Sequence, residues 1–441
     1  MTSAPRTPSA KTLAESSLNR RDLNPQDTTT EAQQHTDAPK ADPERSAKAW
    51  RAVAGSSAAL FASFGWVNCI GVFQAEYEVS QLKGYSSSTI SWITSMEFFL
   101  MLFPSPIAGK LFDNYGPRIP IAIGTLVHCF GLMMASLSHE YYQFMLSQSV
   151  CSGLGCALIF TPSMSAPYTW FRKRRALASG LTVAGSSLGG VIFPLMVQHL
   201  IPQVGFAWTM RICAFLILAM LIFANLTISS SLVHHPRPFK TSDYTRPLRE
   251  LNFCVLAAAC FFLYWGMFVP FNYIAVVSMQ HGMSPSLALS LIPILNGASF
   301  FGRTVPNYIA DRVGAFNVMI VMTTFTAALV LALWLPASGN GAILTFTTLF
   351  GIGSGGGVGL GPVLIAILSP ISEVGVRVGL TLAIGAIGGL TSPPIAGAIA
   401  AQDEGSFRFA CVFSGVSYVL SLLCFVLLRV RRGGWRVTSK V

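Results

Sequence analysis

The feature that most constrains the fold is a series of apolar runs, each as long as a membrane crossing, that extends from residue 53 to residue 429. A helix needs roughly 20 apolar residues to cross the hydrocarbon core of a bilayer. Twelve such runs are separated by short polar links, at 53–75, 88–111, 119–137, 142–166, 177–200, 206–229, 252–278, 285–309, 315–336, 341–366, 378–400 and 408–429. Charged residues make up 11% of the chain, against about 25% in soluble domains. The sequence predicts an all-α integral membrane protein with twelve transmembrane helices and argues against a soluble enzyme.

Polar segments divide the chain into five parts. The longest internal link separates six runs from six, so we expect an N-terminal six-helix bundle at 51–229, a cytoplasmic linker at 230–250 and a C-terminal six-helix bundle at 251–430. Residues 1–50 are predicted to form a disordered cytoplasmic tail, because they have too few apolar residues to bury. Residues 431–441 are predicted to form a second cytoplasmic tail.

The basic residues indicate which side of the membrane each link faces, because Lys and Arg gather in short cytoplasmic loops. With the N-terminal tail inside, the exterior links contain only Lys83 and Arg408. The interior links and flanks hold Arg45, Lys48, Arg51, Lys110, Arg118, Arg172, Lys173, Arg174, Arg175, Arg237, Lys240, Arg246, Arg249, Arg312, Arg377, Arg429, Arg431, Arg432, Arg436 and Lys440. We therefore expect a multi-pass protein of the plasma membrane with both termini in the cytoplasm, and we interpret the basic residues as topology signals, with no nucleic acid as partner.

A repeated turn supports the six-plus-six division. An Asp-x-x-Gly sequence follows the second run of each half, at Asp113 and at Asp311. Each aspartate is followed by a basic residue, Arg118 in the first copy and Arg312 in the second. Loops with charges of both signs can pair with the facing helix ends on a closed cytoplasmic side. We therefore predict that these four residues belong to gating loops.

Several segments resemble the major facilitator superfamily and, within it, the fungal branch of the monocarboxylate porters. They are the two Asp-x-x-Gly loops, 170–190 (WFRKRRALASGLTVAGSSLGG), 88–93 (STISWI), 388–397 (GGLTSPPIAG), 64–74 (FGWVNCIGVFQ) and the pair Gly302-Arg303. The resemblance implies the major facilitator fold, in which two six-helix bundles rock around a central site. The chain departs from the animal members at Asn68, where they have a lysine, and at Ser299, where they have an aspartate. These departures argue against lactate-type proton coupling.

Arg303 is the main substrate-binding candidate. A charge inside an apolar run costs about 2.5–3.5 kcal/mol on insertion scales and so requires a partner or a function. A guanidinium in a low-dielectric cavity binds a carboxylate through two parallel hydrogen bonds, and the resemblance favours this role. The alternative is a structural ion pair with Asp311. Asn68 is a second candidate, and Asn272 and Tyr273 are added because Pro270 frees helix carbonyls that must be satisfied or must line a cavity.

Glu97 is the proton-coupling candidate. It is the acidic residue that falls well within an apolar run, and its own helix has no basic residue within two turns. A carboxyl group near the middle of the membrane suits a site that binds and releases a proton. The alternative is a protonated, hydrogen-bonded packing residue, and the residues alone leave both open.

The leading hypothesis is a secondary active transporter that moves a small organic anion, or a carboxylated or aromatic metabolite, by alternating access, with export of a fungal secondary metabolite as one case. The alternatives are an uptake carrier for riboflavin or another vitamin, and a non-transporting receptor of transporter fold. We expect no enzyme activity, no cofactor and no metal, because the histidines form no metal-binding motif and the glycines of 351–356 lack the strand that a dinucleotide site needs. The expected partners are a small-molecule substrate, the lipid bilayer and, as candidate coupling ions, protons.

Overall fold

Residues 1–2, 43–236 and 238–434 are described by the structure, a computed structural model, and every regular element in them is a helix. The spanning helices are α1 (Ala47–Gln74), α2 (Thr89–Tyr115), α3 (Arg118–Ala135), α4 (Tyr141–Trp170), α5 and α6 (together Arg175–Thr227), α7 (Leu251–Gln280), α8 (Pro285–Val313), α9 (Ala315–Trp334), α10 (Asn340–Ile367), α11 (Ile371–Gln402) and α12 (Arg408–Gly433). A short linker helix, Thr241–Thr245, lies between α6 and α7. The predicted all-α membrane fold is confirmed.

The segment Arg175–Thr227 crosses the membrane twice. Its 53 residues would extend about 80 Å at about 1.5 Å per residue, far beyond the roughly 30 Å of a hydrocarbon core. Gly205, with φ of 78° and ψ of 166°, breaks the helix between α5 (175–204) and α6 (206–227). The described residues therefore provide twelve crossings, as the apolar runs predicted.

The first helix begins before the predicted boundary at residue 51. Helix α1 starts at Ala47, after a 3₁₀ turn at Pro43–Arg45, and the Ser46 hydroxyl accepts a hydrogen bond from the Lys48 N–H. The reason for the early start is Glu44, whose carboxylate accepts the N–H groups of Arg172 and Lys173, each at 2.5 Å. Most of the predicted tail, at 3–42, lies outside the described residues, as do 435–441 at the other end.

The two bundles meet mainly along two helix pairs, α5 with α8 and α2 with α11. Small residues make these approaches close. A Cβ atom added at Gly109 of α2 would collide with the Gly375 carbonyl of α11, and one at Gly180 of α5 would collide with the Arg303 carbonyl of α8. Membrane helices associate through such close backbone contacts. The glycine-rich 351–356 segment plays the same part in α10, where Gly351 faces the Leu295 carbonyl of α8.

Candidate functional site

A cavity of about 410 Å³ lies between the two bundles. Its size is within the range of small-molecule sites, roughly 300–1,000 Å³. Aromatic and aliphatic side chains form most of its wall, and a few polar groups interrupt them. The lining residues are Phe64, Val67, Asn68, Gly71, Val72, Gln74, Glu78, Phe98, Pro194, Met267, Phe268, Phe271, Asn272, Ala275, Val276, Met279, Leu289, Ile292, Pro293, Arg303 and Val358. The structure thus brings together three of the four predicted substrate-binding residues.

Arg303 lies on α8 at the inner end of this cavity and is 2% exposed. Its Nη1 donates to the Val183 carbonyl at 3.1 Å and to the Ser186 hydroxyl at 2.5 Å, both on α5. Its Nε has no hydrogen-bond partner among the described residues. No carboxylate of the described chain pairs with this guanidinium. The site therefore presents a buried cation that bridges the bundles and retains an unused donor.

The Arg303–Asp311 ion pair, considered as an alternative, does not form. Asp311 accepts two backbone hydrogen bonds at the start of α5 instead. The guanidinium carbon of Arg303 lies 5.9 Å from the centre of the Phe64 ring, a cation–π distance. An aromatic ring and two neutral oxygen acceptors, the Val183 carbonyl and the Ser186 hydroxyl, thus lie next to the charge where a counter-ion would be expected.

The polar side chains in and near the cavity differ in how many of their hydrogen-bonding atoms have partners. Asn68 points its Nδ2 at the Ser186 carbonyl from 3.5 Å, and Asn272 donates to the Phe268 carbonyl one turn earlier at 2.8 Å. Asn296 and Ser299 lie on the same helix as Arg303, and the Asn296 Oδ1 and Ser299 hydroxyl are buried without a partner in the described chain. Neither residue was predicted from the sequence as a binding candidate. The signal was their spacing, because Asn296, Ser299 and Arg303 are three and four residues apart and so lie on one face of a helix.

Tyr273 does not line the cavity, which differs from the prediction. Its hydroxyl donates to the Pro393 carbonyl of α11 at 2.7 Å, and its ring packs against Phe407 at 4.8 Å between centroids. Successive residues of a helix are rotated by about 100°, so the position after Asn272 faces a different neighbour. The helix that contains Pro270 does line the cavity, but of the two side chains predicted from it only Asn272 does so.

The cavity is closed on the side of the membrane where α1 begins and α12 ends. Asp113 accepts the N–H groups of Gly375 and Val376 at the start of α11, each at 3.0 Å. Asp311 accepts those of Ala176 and Leu177 at the start of α5, at 2.8 and 2.9 Å. Gln74, Glu78 and Met279 line the opposite end, where α1 and α7 leave the membrane. Each aspartate joins one bundle to the other on the closed side.

The two basic residues assigned to the gating loops make contacts within their own bundle. Arg118 donates through Nε to the Ile228 carbonyl at 3.1 Å. Arg312 donates to the hydroxyl of Tyr308, one turn earlier on the same helix. In this state, the bonds between the bundles at the loops come from the aspartates and not from these arginines.

Glu97 is buried inside the N-terminal bundle and is 1% exposed. It accepts hydrogen bonds from Trp66 Nε1 at 3.1 Å, Gln148 Nε2 at 2.9 Å and the Ser152 hydroxyl at 3.1 Å. The Ser152 oxygen also lies 2.9 Å from Nδ1 of His128. These partners were not predicted from the sequence, although a glutamine, a serine and a histidine inside adjacent apolar runs were the available signal.

Residues 55–350 match the family model described as Major Facilitator Superfamily. The chain belongs to the major facilitator superfamily. It is 66% identical to the "MFS-type transporter opdF" of Penicillium oxalicum over 92% of this chain and 95% of that protein. It is 40% identical to the "Fujikurins efflux protein" of Gibberella fujikuroi, over 89% and 86%, and 38% identical to the "Aspyridones efflux protein apdF" of Emericella nidulans, over 84% and 76%.

Solved structures of this superfamily share the fold at low sequence identity. The proton:xylose symporter XylE superimposes with a TM-score of 0.71 at 12% identity, covering 89% of this chain and 97% of that one. The human organic anion transporter MFSD10 gives a TM-score of 0.70 at 14% identity, covering 86% and 99%. These likenesses show the expected fold, and the family model and the relatives named as transporters show that the chain is a multi-pass membrane transporter.

Proposed function

We propose that this transporter exports a small organic anion, a carboxylated or aromatic metabolite, through the cavity at Arg303. The observation that carries the proposal is the Arg303 guanidinium, which is buried, faces an apolar cavity and pairs with no carboxylate of the described chain. Leaving a buried charge unpaired is costly, and an anionic ligand removes that cost. The aromatic wall formed by Phe64, Phe98, Phe268 and Phe271 suits a flat or apolar substrate body.

The proposed direction is export. Two relatives are named as efflux proteins, one for fujikurins and one for aspyridones. The segments that resemble monocarboxylate porters favour a carboxylate as the charged group. Export against a gradient then needs an energy source, and we propose that protons entering the cell are exchanged for the substrate, with Glu97 as the proton-carrying group.

The arrangement of Arg303 also suits alternating access. The residue belongs to α8 of the C-terminal bundle, yet both of its hydrogen bonds go to α5 of the N-terminal bundle. An anion at the free Nε competes for the same guanidinium. Binding therefore weakens a bond between bundles on the inner side of the site, which favours rotation of one bundle against the other.

A binding and transport assay tests the proposal. We expect benzoate and salicylate to raise the melting temperature of the purified protein and the uncharged benzamide to leave it unchanged. In liposomes, the best carboxylate of this screen should exchange across the membrane. Arg303→Lys retains charge but loses the planar pair of donors, so affinity should fall by about 1.5–3 kcal/mol, the value of a charged hydrogen bond.

The matched control is Arg211→Lys on α6, whose guanidinium donates to Ser136 at 3.2 Å outside the cavity. This variant should bind and transport as the unmodified protein does. Arg303→Ala should reach the membrane and lose transport. Normal carboxylate transport by Arg303→Ala, or equal binding of benzamide and benzoate, rules out an anion site at this residue.

A further inference from the structure

A continuous set of hydrogen bonds crosses the interior of the N-terminal bundle next to the cavity. Glu97 Oε1 on α2 lies 3.1 Å from the Ser152 oxygen on α4, and that oxygen lies 2.9 Å from His128 Nδ1 on α3. Glu97 is 1% exposed, and His128 and Ser152 are fully buried. An acid and a base are thus connected through one hydroxyl group, out of contact with solvent.

The hydroxyl of Ser152 has one proton to donate, either to Glu97 or to His128. Which of the two accepts it decides the charge of both side chains. The other ring nitrogen of His128, Nε2, lies 3.3 Å from the Ala62 carbonyl, which can only accept. If the hydroxyl donates to Glu97, both nitrogens of His128 face acceptors and both must carry protons. If it donates to Nδ1 of His128, Glu97 must carry the proton and donate it to the hydroxyl oxygen.

We propose that Glu97, Ser152 and His128 form a proton relay that holds a shared proton. In the transfer step, the proton on His128 Nδ1 moves to the Ser152 oxygen while the hydroxyl proton of Ser152 moves to Glu97 Oε1. The imidazolium and carboxylate become a neutral imidazole and a carboxylic acid, and no atom or charge is gained or lost. The inference deepens the proposed function, because it rests on Glu97 as the proton-carrying group.

The other groups around Glu97 fix its position. Trp66 Nε1 donates to Oε1, and Gln148 Nε2 donates to Oε2, while the Gln148 carbonyl oxygen accepts the hydroxyl proton of Tyr77. The remaining titratable neighbours are thiols: Cys69 near Glu97, and Cys156, whose sulfur lies 3.5 Å from His128 Nδ1. No lysine or arginine of the described chain bonds to Glu97 or His128. His128 is therefore the base available to the acid.

Helix α1 connects the relay with the cavity. Trp66 and the Ala62 carbonyl contact Glu97 and His128, while Phe64 and Asn68 on the same stretch line the cavity. The helical hydrogen bonding of α1 is interrupted here: one segment ends at Ala62, the next spans Phe64–Val67, and a third begins at Ile70. A ligand that shifts this irregular stretch moves two groups together: the Ala62 carbonyl next to His128 and the Trp66 N–H that donates to Glu97. This movement gives a route from substrate binding to proton transfer.

Infrared spectroscopy of the purified full-length protein tests the relay without any substrate. The probe is the C=O stretching band of protonated Glu97, identified as the band that Glu97→Gln removes, recorded as a function of pH. Because opposite charges a few ångströms apart move a carboxyl titration by one to three units, His128→Gln should move the midpoint of this band by about one pH unit or more. Ser152→Ala should move it by a similar amount, because it removes the hydroxyl that donates to the Glu97 carboxylate and bonds it to His128.

Matched variants separate a relay from a general packing effect. Ser149→Ala removes another buried hydroxyl of α4, which donates to the Ile93 carbonyl, and should leave the midpoint in place. Ser152→Thr, which retains the hydroxyl, should restore it. The double variant Ser152→Ala with His128→Gln should shift no further than either single variant, because residues of one network are not additive.

The relay is wrong if Glu97→Gln removes no band at any pH, if His128→Gln leaves the midpoint unchanged, or if the Ser152 and His128 effects add. Should one serine variant fail to fold, the His128→Gln titration still decides. Failure of the proposed function gives a different result. If transport does not depend on pH while the infrared band responds as expected, the relay exists but the transport cycle is not coupled to protons.

Discussion

Asp113 and Asp311 each bond both carboxylate oxygens to two consecutive backbone N–H groups at the start of a helix in the opposite bundle. Asp113 on α2 caps α11, and Asp311 on α8 caps α5. Both aspartates precede a glycine at the helix end, Gly116 with φ of 77° and Gly314 with φ of 107°. A helix commonly ends on such a glycine, so the Asp-x-x-Gly spacing places the carboxylate one turn from the end, toward the other bundle.

We predict that the two caps stabilise the state in which the cavity is closed on the side where α1 begins. Asp113→Asn removes the charge opposite the positive end of α11 and one of two acceptors, which should cost about 1–3 kcal/mol of closed state. The measurement is the labelling rate of a cysteine placed at Ser179, a buried position on α5 below the closed side, in a background without the nine native cysteines. Labelling should become faster by a factor of about 5 to 150, since 1.4 kcal/mol corresponds to a factor of ten.

Two controls accompany this variant. Asp311→Asn should have an effect similar to that of Asp113→Asn, because its geometry is equivalent. Arg312→Gln should change the labelling rate little, since Arg312 bonds within its own helix. Slow labelling in both aspartate variants would show that other contacts hold this side closed.

The linker adds a second contact on the same side, with its own pH dependence. Glu250 accepts from both terminal nitrogens of Arg377 on α11, at 2.7 and 2.6 Å. These hydrogen bonds hold the pKa of Glu250 below its ordinary value of about 4.5. A carboxyl group with a lowered pKa contributes its full stability above that ordinary value and loses it as the pH falls through the lowered one.

We therefore predict that the linker contact is constant between pH 5 and pH 8 and is lost only in stronger acid. Glu250→Gln should remove it at every pH, at a cost of about 0.2–1 kcal/mol because the carboxylate is partly exposed. Thermal unfolding as a function of pH measures this. A difference between Glu250→Gln and the unmodified protein that disappears near neutral pH would contradict the assignment.

The sequence predicted the fold well because the bilayer leaves few solutions. Apolar runs of the right length gave all twelve crossings, and the Asp-x-x-Gly repeat located both caps. Contacts between helices were harder to predict. Glu97 was located by its charge alone, but its partners on α1 and α4 and the histidine beyond depend on how three helices rotate against each other. The same limitation explains why Tyr273 was wrongly predicted to line the cavity. Pro270 indicates which helix lines the cavity, but it does not indicate how that helix is rotated about its axis.

The topology of the chain also yields a prediction. Cysteines introduced at residue 20, at residue 438 and in the 238–250 part of the linker should resist an impermeant thiol reagent added to intact cells, because all three are expected in the cytoplasm. The control is a cysteine at Lys83, between α1 and α2, which should be labelled. Labelling at residue 20 or 438 from outside would reverse the proposed orientation, and with it the direction in which the observed cavity opens.

The last prediction concerns Glu97 and energy coupling. In liposomes with a lumen one pH unit more acidic than the bath and the membrane potential held at zero by potassium and valinomycin, exchange of one proton for one substrate anion concentrates the substrate up to about tenfold, because 1.4 kcal/mol corresponds to a factor of ten. Glu97→Gln removes the titrating group. The variant should still exchange substrate across a membrane at equal pH, yet it should show no accumulation after a pH step.

The hydrogen bonds around Glu97 favour a folded variant. The introduced amide retains an oxygen for Trp66 and Ser152, and its nitrogen can donate to Gln148 if that side chain rotates its own amide. The rotated Gln148 nitrogen then donates to the oxygen of Tyr77, which is able to accept. Glu404→Gln, in the exposed loop between α11 and α12, serves as the control and should accumulate substrate normally. If Glu97→Gln still concentrates substrate in response to the pH step, Glu97 is a packing residue and protons are coupled elsewhere.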